Sequence, residues 1–172
     1  METLNLVFHK FSPVSVNSGY FRNRSLNDAA RASRAELLKR LTTKYSDQIL
    51  QFRSQYNPKE HALAVSMTFY RENFYNKLGT ISMRSKDLDN CVKITQDALF
   101  NKRYSNKWLQ ERKRAESLLF GSLKSILNIG IDDINIIDLQ LKKLPSTQDL
   151  LIAEVRLVPL PPIVDISSLE GV

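Results

Sequence analysis

From Leu63 to Tyr70 the chain alternates strictly. Leu63, Val65, Met67 and Phe69 carry large apolar side chains, with Ala64, Ser66, Thr68 and Tyr70 between them. Successive side chains of a strand point to opposite faces, so this period of two commits residues 62–70 to a strand with one buried face. A single strand cannot bury that face, and the rest of the chain must supply partners. Leu4, Leu6 and Phe8 alternate with Thr3, Asn5 and Val7, which gives a short first strand. Two more strands are read at about 134–143, with Ile137, Leu139 and Leu141 on one face, and from Leu151, where Ala153, Val155 and Leu157 oppose Glu154 and Arg156. The turn sequence Leu144-Pro145-Ser146-Thr147-Gln148-Asp149 between them predicts a hairpin.

Elsewhere the period is helical. Leu26, Ala30, Ser33, Leu37, Leu41, Tyr45 and Ile49 recur at three- or four-residue steps. They predict one helix that starts at an N-cap, Ser25 or Asn27, and stops at Tyr56-Asn57-Pro58. Residues 71–84 are polar, contain Gly79 and read as a loop. Over 88–100, Leu88, Cys91, Val92, Thr95, Ala98 and Leu99 fall on one side of a helix, opposite Asp89, Lys93, Gln96 and Asp97. A further basic helical pattern occupies about 105–127. The resulting order predicts an α+β fold: a small mixed β-sheet with helices packed on one side, and an extra basic helix inserted before the third main strand. One domain is expected over residues 1–158, with 101–128 inserted within it. The Pro-containing tail, 159–172, cannot sit inside a sheet.

With 172 residues, 42% hydrophobic and 25% charged, the chain suits one globular core. No apolar run approaches the roughly 20 residues of a membrane span, so no membrane partner is expected. The N-terminus lacks the basic-then-apolar order of a signal peptide, and the single Cys91 cannot close an internal disulfide; a cytoplasmic location is expected. One cysteine with two distant histidines, His9 and His61, offers no zinc pattern.

The net charge of +7 is concentrated in two segments. Residues 20–44 hold seven Arg/Lys against two acidic residues, and so do residues 101–128, which leaves the remainder net acidic at −3. Two basic flanks around an acidic centre suit a polyanion held against a metal site. That centre contains two clusters, Asp87-Leu88-Asp89-Asn90 with Lys93, and Asp132-Asp133 after Gly130. Neighbouring carboxylates repel unless a cation lies between them, and oxygen donors suit a divalent ion such as magnesium. Taken singly, each cluster also reads as capping: Asp at a helix start, an i, i+4 Asp–Lys pair, a turn beside glycine.

Taken together, Asp87-Leu88-Asp89-Asn90, Lys93, Asp97-Ala98-Leu99 and the later Asp132-Asp133 resemble the RusA-type Holliday-junction resolvases, crossover junction endodeoxyribonucleases. The loop Pro13-x-Ser15-x-Asn17 after the first strand is similar to that family's as well. The resemblance implies a homodimeric endonuclease that uses Mg2+, with Mn2+ as a substitute, to resolve four-way DNA junctions by paired nicks. Carried over, Asp87, Asp89 and Asp133 would hold the metal, Lys93 would be the catalytic lysine, and Asp132 would be an accessory member. DNA contacts are expected from Asn17, Arg22, Arg24, Arg31, Arg34, Arg84, Lys86, Lys107, Arg112, Lys113 and Arg114. In that family only about ten residues separate the two acidic motifs, whereas here Asn101–Asn128 intervene. The inserted segment reads either as a helix packing on the domain or at a dimer interface, or as an added DNA-contacting element. Two other classes stay open: a non-catalytic nucleic-acid-binding protein, and a metal nuclease acting on forks, flaps or RNA.

Overall fold

A computed structural model describes residues 2–12, 14, 27–82, 88–100 and 128–163, with backbone only at Asp89 and Asn90. Strands β1 (Thr3–His9), β2 (His61–Arg71), β3 (Ile136–Pro145) and β4 (Leu150–Pro159) form one sheet, ordered β1-β4-β2-β3. β4 is antiparallel to both neighbours, and β3 runs parallel to β2, so the sheet is mixed. Helices α1 (Asp28–Lys44), α2 (Ser46–Gln55) and α3 (Leu88–Phe100) complete the described α+β architecture.

The alternation at 63–69 does what its period requires. Leu63, Val65, Met67 and Phe69 are buried together with Leu4, Leu6 and Phe8 of β1 and Leu151, Ala153 and Val155 of β4. The same core takes Leu37 and Leu41 from α1, Ile49 and Phe52 from α2, and Cys91, Ala98, Leu99 and Phe100 from α3. Cys91 is therefore a packing residue.

The expected single helix is two. Asn27 caps α1, its Oδ1 accepting from Ala30 N at 3.0 Å, and the chain bends at Tyr45 (φ −125°, ψ 10°) before α2 begins. The apolar stripe continues across the bend, since Tyr45 and Ile49 are both buried. The bend also swings the Tyr45 hydroxyl onto β1, where it accepts from Val7 N and donates to Val7 O, each at 2.9 Å. A periodic stripe cannot report this, because bent and straight helices present the same spacing.

The expected hairpin of the last two strands does not form: β2 lies between β3 and β4. The physical reason is burial. β2 is covered on both faces at Ala62, Leu63, Ala64 and Val65 and takes a central place, whereas β3 carries Asp138, Gln140, Lys142 and Lys143 and suits an edge. Crossing one intervening strand means spanning about 9.6 Å, within reach of the turn at 146–149. That turn is pinned to the end of β2. Ser146 N donates to Arg71 O at 3.0 Å, Glu72 N donates to Asp149 Oδ1 at 3.1 Å, and the Arg71 guanidinium pairs with Asp149 at 3.4 Å. Arg71 is itself buried and donates to Ser12 Oγ at 2.9 Å.

The third strand also starts later than its sequence suggests. Asp133–Asn135 form a 3-10 turn, β3 begins at Ile136, and a register shift against β2 leaves Ile137 without a partner between Ile136 and Asp138. Ile137 therefore does not join Leu139 and Leu141 in the regular alternation. Beyond β4, Leu160 N donates to Glu60 O at 3.0 Å, which holds the first part of the proline-containing tail in an extended course.

Candidate functional site

The second acidic cluster sits on a turn built by its own first residue. Asp132 Oδ1 accepts from Ile134 N at 3.2 Å, which caps the 3-10 turn. Gly130, at φ +73°, reverses the chain just before it, and the Arg53 guanidinium lies where a side chain on Gly130 would go. L-residues with a Cβ rarely adopt that conformation, so the backbone requires glycine here, while a Cβ would also displace the movable end of Arg53. Tyr56, three residues after Arg53 at the end of α2, faces the same turn. Its hydroxyl is buried and has no hydrogen-bond partner among the described residues. Burial, and then the negative charge of Asp132, hold its pKa above the ordinary tyrosine value.

Asp133 points the other way, toward α3. Gln96 Nε2 donates to Asp133 Oδ2 at 3.3 Å. Gln96 belongs to the polar face that also carries Lys93, one turn earlier, and the backbone position of Asp89, two turns earlier. The opposite face of α3, with Cys91, Val92, Thr95, Ala98 and Leu99, is buried. Lys93 is exposed and its ammonium pairs with Asp97 at 3.3 Å. Asp97 thus has a local partner, in keeping with its distance along the helix from Asp89.

The inserted segment leaves and returns at one place. Ile129 N donates to Leu99 O at 2.8 Å, so the chain re-enters the fold beside the helix end from which it departed. Ile129 and Ile131 are buried and fasten the returning chain to the core.

Several expected site residues lie outside the described residues: Asp87, Asn17, Arg22, Arg24, Arg84, Lys86, Lys107, Arg112, Lys113 and Arg114, together with the side chain of Asp89 and the helix expected over 105–127. Of the remaining basic candidates, Arg31 is exposed and pairs with Asp28 at 3.1 Å; Arg34 is half-buried on α1. Among the described residues no three His, Cys, Asp or Glu side chains form a group able to hold an ion. Of the expected ligand set, the Asp133 side chain is the described member, and its Oδ1 accepts no hydrogen bond from a described residue. A carboxylate oriented through one oxygen by an amide is the donor type that a hard cation such as magnesium takes, and Asp133 is of that type.

No protein-family model matches this chain, and no curated protein matches it.

Sequence reasoning placed Gln96 on the correct face of α3 without giving it a role. Arg53 and Tyr56 went unremarked, because what brings them to Gly130 and Asp132 is the docking of α2 on the 128–132 segment, which has no signature in sequence spacing. Gly130 itself was the nearest legible signal, since a glycine two residues before a paired Asp marks a turn.

Proposed function

We propose that this chain is a magnesium-dependent, structure-selective endodeoxyribonuclease of the RusA type, which hydrolyses phosphodiesters at four-way DNA junctions by paired nicks. The observation that carries the reading is the Gln96–Asp133 contact, which joins the second acidic cluster to the polar face of the helix opened by the first. The hydrogen bond from Ile129 N to Leu99 O supports it as well, because it brings the chain after the insertion back beside the end of α3.

Asp87, Asp89 and Asp133 would hold the ion, with Asp132 accessory to them. When bound, magnesium would stabilise charge on the phosphate and make a coordinated water more acidic. Gln96 holds Asp133 in orientation, a positioning task that leaves the free carboxylate oxygen available. Lys93, steadied by Asp97, supplies a positive charge on the same face to orient the water or offset charge developing on the phosphate. The basic flanks bring the polyanion to the site. Paired nicking requires two such sites related by a two-fold axis, hence a homodimer.

The test is cleavage of four-way, forked and linear duplexes in magnesium by the wild type and by Asp89→Asn and Asp133→Asn. Symmetric nicks on the four-way junction, lost in both variants while junction binding persists, are expected. Normal cleavage in either variant refutes the site. A second reading, a non-catalytic nucleic-acid-binding protein, is favoured by the Asp132 cap and the Lys93–Asp97 pair, both of which are ordinary local stabilisers. It requires binding that weakens steeply with salt and no magnesium-dependent product.

A further inference from the structure

The two edges of the sheet are finished differently. On β1, the Tyr45 hydroxyl occupies both the N–H and the C=O of Val7, and the Arg40 guanidinium takes the carbonyl of His9. Those groups are no longer available to another strand. On β3, the backbone of Asp138–Lys142 meets no described partner other than β2. This open edge is also apolar for its position, with Leu139 40% exposed although it lies on the helix-covered face beside Val65. Open edges are templates for further pairing unless something blunts them.

We propose that a second copy of this chain pairs with β3, antiparallel about a two-fold axis at Gln140, so that two four-stranded sheets continue as one of eight strands. The sequence of the strand is self-complementary in that register. Gln140 faces its own equivalent, Leu139 faces the partner's Leu141, and Asp138 faces the partner's Lys142. The first and third of these pairs lie on the open face of the sheet, where Asp138 and Gln140 already form a row through a 3.4 Å hydrogen bond. The leucine pair lies on the helix-covered face, as the pairing of Leu139 and Leu141 with Val65 and Met67 dictates. Residues directly opposite in an antiparallel pair share a face, and opposite charges there are favourable. Moving the axis by one residue in either direction puts Asp138 opposite Gln140 or Leu144 and loses both ion pairs. Lys142 and the bulge at Ile137 discourage a foreign strand, whereas a second copy sets a carboxylate, Asp138, opposite each Lys142. A two-fold contact at β3 uses the same edge of both copies, and Val7 and His9 of the β1 edge are already engaged, so association closes at two copies.

Sedimentation equilibrium of the full chain tests this. The wild type is expected at about twice its monomer mass of 19.8 kDa. Asp138→Lys or Lys142→Asp places like charges opposite each other twice per dimer and should raise the dissociation constant at least about tenfold. The double variant Asp138→Lys/Lys142→Asp restores opposite charges and should recover the dimer, which separates loss of the interface from loss of folding. A monomer at micromolar concentration, a dimer indifferent to either single reversal, or a double variant no tighter than natively folded single variants would each overturn the proposal. The inference rests on the nuclease reading only for the need of two copies: a dimer that cuts junctions yet is indifferent to the charge reversals would refute the β3 interface and leave the site intact.

Discussion

Gln96 and Asp133 lie 37 positions apart in the chain, yet the amide nitrogen of one donates to the carboxylate of the other at 3.3 Å. The contact ties the acidic turn ahead of β3 to the polar face of α3. If Asp133 is a metal ligand, Gln96 sets its orientation without touching the ion. Gln96→Ala should then lower magnesium affinity or cleavage by about 10- to 100-fold, as other outer-shell changes do, and Gln96→Glu should cost more by adding a like charge. Magnesium titration of cleavage reads both. An unchanged magnesium dependence in Gln96→Ala would deny the positioning role.

Gly130→Ala should destabilise the fold by about 1–3 kcal/mol. Part of this comes from the positive φ of +73°, and part from displacing the Arg53 guanidinium. Denaturant unfolding separates the two. Arg53→Ala added to Gly130→Ala should recover the steric part and leave the backbone part in place.

Tyr45→Phe removes the one oxygen that serves both polar groups of Val7. The expected cost is about 1–2 kcal/mol, since two partly buried backbone groups lose their partner. Hydrogen exchange at Val7 should quicken while the amides of β2 keep their protection.

Asp149→Ala leaves the buried Arg71 guanidinium without its carboxylate and frees the amide of Glu72. Breaking such a pair from one side costs about 3–5 kcal/mol. Arg71→Met with Asp149→Ala should be milder than Asp149→Ala alone, because no unpaired charge remains inside. Thermal unfolding of the two variants beside the wild type decides the order.

The raised pKa of Tyr56 carries a pH signature. In the unfolded chain the phenol ionises near its ordinary value of 10.0, while in the fold it stays protonated to higher pH. The folded state then binds more protons above that value, so stability falls as pH rises from about 10 through the folded pKa. Tyr56→Phe should flatten this decline, measured as denaturation midpoints between pH 9 and 11. Asp132→Asn should lower the Tyr56 pKa in an absorbance titration by removing the negative charge that adds to the effect of burial.

Local chemistry was enough to foretell most of the elements among the described residues. The alternation at Leu63–Phe69, the stripe from Ala30 to Ile49, the two-faced pattern over 88–100 and the cap at Asn27 all depend on neighbours within a few positions, and each appears where the periods require. The paired Asp at 132 and 133 was equally visible as a turn beside glycine. Pairing was not. A strand records which of its faces is buried but not which strand lies beside it, so the insertion of β2 between β3 and β4 emerged only from competition for the most buried place in the sheet. The bend at Tyr45, the return of the chain from the inserted segment to Leu99 and the laying of Arg53 across Gly130 are contacts between distant segments, decided by packing, to which sequence periodicity is blind.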